Sequence, residues 1–178
     1  MKTYVITLSQ VFPVTHPRHG EPTGFKEKMA NAIYHMRHPD VFEPGEPNNG
    51  DEKYHTIRAN YELWQKRFEQ IESGEACLSI RQWTGKPYAS KQVEIARLTN
   101  EDGIGLQRLQ FIPDGSLANF MTSIDFRLHR MPDSLNLAHQ LAKNDGLSFA
   151  DWKEWFFGSQ NYDFRKPLAI IHFTNFRY

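Results

Sequence analysis

Hydrophobic and polar positions alternate along some stretches of the chain and recur with a period near 3.6 along others. Thr3 to Leu8 alternates and is rich in Val, Ile and Thr, which predicts a first strand. Pro13, Pro17, Gly20 and Pro22 break regular structure after it. Phe25, Met29, Ile33 and Met36 then recur at helical spacing, predicting a helix from about Gly24 to Met36 that Pro39 stops. Pro39 to Asp51, with three prolines and two glycines, predicts a surface loop. Tyr61, Trp64, Phe68 and Ile71 fall on one helical face, and Gly74 ends that run.

Further along, Ala76 to Trp83 alternates, with Ala76, Leu78 and Ile80 on one side and Cys77, Ser79, Arg81 and Trp83 on the other. Lys91–Leu98 and Ile104–Ile112 predict two more strands, separated from their neighbours by turns at Thr84–Pro87 and Asp114-Gly115. In both strands the apolar set changes parity, as at a β-bulge or a barrel corner. Ser116 to Pro132 gives no firm pattern. Ser134 to Lys143 predicts a helix ended by Asn144-Asp145-Gly146. Ser148-Phe149-Ala150-Asp151 has the capping-box pattern and opens a short helix with Phe149, Trp152 and Phe156 inward. Pro167 to Thr174 is the apolar run of a buried strand. Strands and helices follow one another in an α+β plan that suits a small barrel flanked by helices.

Between the predicted loop and the second helix lies Lys53-Tyr54-His55-Thr56-Ile57-Arg58. Two β-branched residues favour an extended backbone there, yet the segment carries two cations, an imidazole and a hydroxyl. So short a strand has little room for apolar burial, and its polar groups imply a site. Lys53 and Thr56, three apart, would face opposite sides of a regular strand, so Lys53 must lie on a bend entering it.

Composition narrows the picture. A chain of 178 residues with 13% aromatics can bury a core as one domain. The formal net charge of zero argues against nucleic-acid binding through bulk charge, although a local basic groove remains open. A single cysteine, Cys77, excludes an internal disulfide framework and fits a reducing compartment. The N-terminal segment turns polar too early for a signal peptide, and no stretch approaches a membrane span. A cytoplasmic protein with no membrane contact is expected, its oligomeric state left open.

Lys53-x-x-Thr56-x-Arg58, a helix ending at Gly74, and the strand Leu78-Ser79-Ile80-Arg81 together resemble the ASCH domain, of the PUA-like superfamily of small barrels. The resemblance runs from Phe25 to Phe173 and implies one PUA-like domain over residues 1–178, with a loop and helix extension at 9–52. It implies binding of RNA or a modified nucleobase or nucleoside. Some small ASCH proteins are amidohydrolases that deacetylate N4-acetylcytidine with Lys, Thr and Glu. By motif, Lys53 and Thr56 take the first two places and Asp151 the carboxylate's, with Asp one methylene shorter than Glu. Thr56 would be the nucleophile, Lys53 its activator and Asp151 the acid/base.

Other residues bear on the site. Arg58 would line the pocket with Lys53 and Thr56 as a ligand-binding residue, and Arg81, Trp83, Lys86, Tyr88 and Lys91 interleave cations and aromatics in a way that can hold phosphates and stack bases. Plainer readings stand beside these: Thr56 as a strand threonine, Lys53 as a solvated loop end, Asp151 as a helix cap, and the aromatic set as an ordinary hairpin. A protein-interaction or structural domain is a further alternative. His16-x-x-His19 and His35-x-x-His38 lack a third ligand in register, so no metal or cofactor is expected.

Overall fold

The computed structural model describes residues 1–38, 52–113, 120–158, 163 and 165–178. The predicted loop at Pro39–Asp51 and the Asp114-Gly115 turn lie outside these residues. Among the described residues the architecture is α+β, with eight strands in two sheets and four helices.

The first sheet has the order β1-β3-β4. β1 (Lys2–Thr7) runs parallel to β3 (Ala76–Trp83), and β4 (Gln92–Leu98) runs antiparallel on the other side of β3. The parity change predicted in β4 is a real bulge: Ile80 pairs with Ala96 and Arg81 with Glu94, so Ile95 has no partner in the register. The second sheet has the order β2-β8-β5-β6-β7, all antiparallel. Its strands are β2 (His55–Arg58), β5 (Gly105–Pro113), β6 (Phe120–Ile124), β7 (Arg127–His129) and β8 (Leu168–His172). β6 and β7 come from the segment whose sequence gave no firm pattern. β8 lies between β2 and β5 and is buried along its whole length, which explains its unbroken apolar run.

β5 departs from the expected parity change. Its buried positions alternate without a break through Gly105, Gln107, Leu109 and Phe111. Gln107 fills an apolar slot because its amide is satisfied: Nε2 donates to Asp125 Oδ2 at 2.8 Å, and Oε1 accepts from the Tyr178 amide at 2.9 Å.

The helices cover the sheets by their apolar stripes. α1 (Phe25–Arg37) buries Phe25, Met29 and Ala32, and α2 (Tyr61–Glu72) buries Trp64, Phe68 and Ile71. α2 starts at Asn60, whose φ of 64° is unusual for a residue with a side chain. Its carboxamide oxygen accepts from the Leu63 amide, which offsets that cost. α3 (Asp133–Asn144) buries Leu137, Ala138, Leu141 and Ala142. α4 (Phe149–Phe157) begins at Ser148, which caps the Asp151 amide as its sequence predicts, and it buries Trp152 completely. Phe149 and Phe156 are only half-buried. One hydrophobic cluster joins both sheets and all four helices. No helix among the described residues is long and apolar enough to cross a membrane.

Candidate functional site

The site forms where the entrance to β2 meets the end of α3. Lys53 precedes β2 rather than lying in it, as the spacing to Thr56 requires. Its backbone is held there from two sides: the Lys53 amide donates to Lys28 O of α1, and the Tyr54 amide donates to Asn144 O of α3. The Lys53 side chain is not a solvated loop end. It is 1% exposed, and its Nζ donates to Asp145 O at 2.6 Å and to the Asp145 carboxylate. The ammonium also lies 4.1 Å from the centroid of the Phe25 ring.

Asp145 is the C-cap of α3, where unpaired carbonyls carry partial negative charge. Lys53 serves one of these carbonyls, and Lys28 Nζ serves the next at Gly146 O, 2.8 Å away. Gly146 makes the approach possible. Its φ of 77° favours glycine, and a Cβ there would lie 3.3 Å from the Lys53 Cβ.

Burial sets the electrostatics. Desolvation pushes the Lys53 ammonium's pKa down, opposed by Asp145 and assisted by Arg58 and Lys28. Desolvation pushes the Asp145 carboxyl up, opposed by Lys53 and Arg58. The pair therefore lies closer to proton exchange than the same groups in water.

Thr56 and Arg58 project from one face of β2 and complete a small pocket with Lys53 and Asp145, walled by Phe25, Trp155 and Phe156. The Thr56 hydroxyl makes no hydrogen bond among the described residues. Arg58 donates to Thr7 O at 2.6 Å, has no carboxylate in ion-pair range among the described residues, and its pKa is pushed down by burial. Two cations against one anion give the pocket an excess of positive charge. Its open space is about 20 Å³, room for roughly one water.

Leu8 and Ser9 separate this pocket from a wider groove of about 260 Å³, lined on its far side by Trp83, Pro87 and Tyr88. Trp83 and Tyr88 stand with ring centroids 5.3 Å apart, and Tyr88 is 93% exposed at a φ of 63°.

The structure thus brings Lys53, Thr56 and Arg58 together and sets Trp83 in the adjoining groove. Arg81, Lys86, Lys91 and Asp151 line neither. Arg81 is turned to Ser79 Oγ, 2.9 Å away, and Lys86 and Lys91 are exposed around the β3–β4 turn. Asp151 accepts from Ser148 Oγ at 2.8 Å and from Arg18 at 2.7 Å, a tie between the N-terminal loop and α4. His16 belongs to the same tie: its Nδ1 accepts from the Arg18 amide and its Nε2 lies 3.1 Å from Asp151 O.

Sequence reasoning missed Asp145. Asn-Asp-Gly after an apolar helix is the ordinary signature of a helix end, and nothing local marks its carboxylate as the partner of a lysine 92 residues earlier. No family model, curated protein or solved structure significantly matches the chain. Among the described residues no three His, Cys, Asp or Glu side chains are grouped to hold a metal ion.

Proposed function

We propose that the chain is an ASCH-type domain that binds a nucleobase-bearing ligand, a modified nucleoside or RNA, at Lys53, Thr56, Arg58 and Asp145. On this reading the two sheets are an opened form of a PUA-like barrel, and residues 1–178 make one domain. One observation carries the reading: a polar floor of donors and one carboxylate lies between the aromatic walls Phe25, Trp155 and Phe156. Such a floor suits the edge of a flat heterocycle. Lys53 and Arg58 donate to a ring carbonyl, and Asp145 accepts from the neighbouring N–H. A ring is far larger than one water, so Trp155 and Phe156 swing aside on entry, and a sugar or strand continues into the groove beside Trp83 and Tyr88.

A second reading, amide hydrolysis of an N4-acetylcytidine-like nucleoside, draws support from a Thr56 hydroxyl that has no hydrogen bond among the described residues and lines the same pocket as a lysine whose pKa burial lowers. Thr56 Oγ attacks the acetyl carbonyl and its proton passes to Lys53. The N4–acyl bond breaks as the leaving amine takes that proton from Lys53, and water then attacks the acetyl-Thr56 ester, giving a proton through Lys53 back to Thr56 Oγ as acetate leaves. In this scheme Asp145 takes the carboxylate's place, since Asp151 is engaged by Ser148 and Arg18.

The test is titration of the purified chain with cytidine, N4-acetylcytidine and a short single-stranded RNA. It is repeated with Thr56→Val and Arg58→Met, which leave the Lys53–Asp145 pair in place. Binding weakened about tenfold or more in Arg58→Met and severalfold in Thr56→Val supports the pocket, since a charged hydrogen bond is worth about 1.5–3 kcal/mol and a neutral one about 0.5–1.5 kcal/mol. Unchanged affinity in both overturns it. Release of acetate from N4-acetylcytidine decides for hydrolysis.

A further inference from the structure

Behind the pocket, on the opposite face of β2, lies a buried group of side chains that ligand binding at Lys53 does not by itself use. His55 is 0% exposed, and its Nε2 lies 2.8 Å from the Tyr178 hydroxyl. Its Nδ1 is buried with no hydrogen-bond partner among the described residues and lies 4.0 Å from Asp145 Oδ1, the oxygen that accepts from Lys53. Asn144 Nδ2 donates to the same Tyr178 hydroxyl at 3.0 Å.

These contacts select a tautomer. A bare Nδ1 lone pair facing a carboxylate is repulsive, whereas an Nδ1–H is attractive. With the proton on Nδ1, Nε2 accepts from Tyr178, whose hydroxyl is otherwise left only a long 3.4 Å contact to Gln140 O. Burial keeps the ring neutral, as does the repulsion from His172 and Lys53. His55 is therefore a neutral donor just beyond bonding distance of Asp145, and leaving a buried donor unpaired is unfavourable.

We propose that His55 is a positioning residue for the pocket: when a ligand oxygen engages the Lys53 ammonium, the Asp145 carboxylate turns to the Nδ1–H of His55. The inference rests on the reading that a ligand enters the Lys53 pocket. A handover of this kind lets Lys53 serve the ligand without stranding a buried carboxylate, whose loss of a partner is among the costliest changes in a protein interior. It also selects the ligand, requiring an acceptor oxygen, because only an acceptor competes with Asp145 for Lys53, while the other Asp145 oxygen is left to accept from a ligand N–H. Asp145 and Tyr178 together favour the tautomer that makes the donor available.

The experiment is two-bond ¹H–¹⁵N correlation of the histidine-labelled full chain, which reports the tautomer of each imidazole. Wild-type His55 is expected in the Nδ1–H form. In Lys53→Met, which frees Asp145 without any ligand, the Nδ1–H proton is expected to move downfield as the carboxylate closes on it. In Tyr178→Phe, the milder variant, Asp145 is expected to keep the proton on Nδ1, while the Nε2 resonance moves because its Tyr178 partner is gone. An Nε2–H tautomer in the wild type, or an unmoved Nδ1–H in folded Lys53→Met, overturns the proposal. Should Lys53→Met not fold, an Nε2–H tautomer in Tyr178→Phe overturns it. N4-acetylcytidine added to the wild type is expected to produce the same downfield shift. A nucleoside that does not bind sinks the pocket reading alone, because the Lys53→Met signal needs no ligand.

Discussion

The Lys53 ammonium donates to both the carboxylate and the main-chain carbonyl of Asp145, and the two side chains are 1% and 6% exposed. A pair this deep stabilises less by its own attraction than it would destabilise if broken. Asp145→Asn is expected to cost about 3–5 kcal/mol, because it leaves the Lys53 charge buried without a counterion. The double variant Lys53→Met/Asp145→Leu is expected to recover most of that loss. Urea unfolding of the three chains checks both statements, and a mild Asp145→Asn would show that the pair is open to solvent.

Acid should unfold the protein early. His172 is fully buried with neither ring nitrogen bonded among the described residues, and burial lowers its pKa from 6.5 to about 3. His55 is lowered for the same reason. Below pH 6.5 the unfolded chain takes up protons that the native histidines refuse, so this contribution is complete above 6.5 and drains away as the pH falls toward 3. The loss is about 1.4 kcal/mol per pH unit for each histidine. Asp145, raised by burial, works in the opposite sense and offsets part of it at the acid end. Urea midpoints from pH 7 to 4 should fall, and His172→Leu should reduce the slope by about one proton. A flat profile would contradict the burial of these rings.

Asp151 marks a different boundary. Its bonds to Ser148 and Arg18 make it part of the α4 start, outside the pocket. Ser148→Ala is expected to cost about 1 kcal/mol as a lost N-cap. Asp151→Asn should cost less, and it should leave nucleoside affinity within twofold of the wild type. Calorimetric titration of Asp151→Asn is the check, and a tenfold loss would return Asp151 to the site.

Trp83 and Tyr88 separate a strand from a lone nucleoside. Base stacking on an aromatic ring is worth about 1–3 kcal/mol per base. Tyr88→Ala should therefore weaken RNA by about tenfold while leaving a nucleoside in the inner pocket unaffected. RNA affinity should also fall with added salt, as phosphate contacts release counterions. Equal effects on both ligands would place the nucleoside in the outer groove.

Much of the fold was legible because its segments follow local rules. The stripe Trp64, Phe68, Ile71, the Ser148 cap and the apolar run of β8 all correspond to observed elements. Lys53-x-x-Thr56-x-Arg58 marked three pocket residues, and the bend before β2 followed from the strand's two-residue period. What stayed hidden depends on distant partners. Asp145 reads locally as a helix end, and Gln107 reads as a break in β5 until Asp125 and Tyr178 satisfy its amide. β6 and β7 escaped notice because their strands are short and carry polar residues, such as Thr122, that are buried by bonding to α3.

The central claim is that a nucleobase-bearing ligand enters the pocket between Lys53 and Trp155. Its most direct measurement is an amide and side-chain NMR titration of the full chain with N4-acetylcytidine and cytidine. Saturable shifts are expected, centred on Lys53, Thr56, Arg58, Asp145 and the Trp155 indole, with smaller ones at Ser9. Saturable shifts confined to other surfaces, or none at millimolar nucleoside, would contradict it.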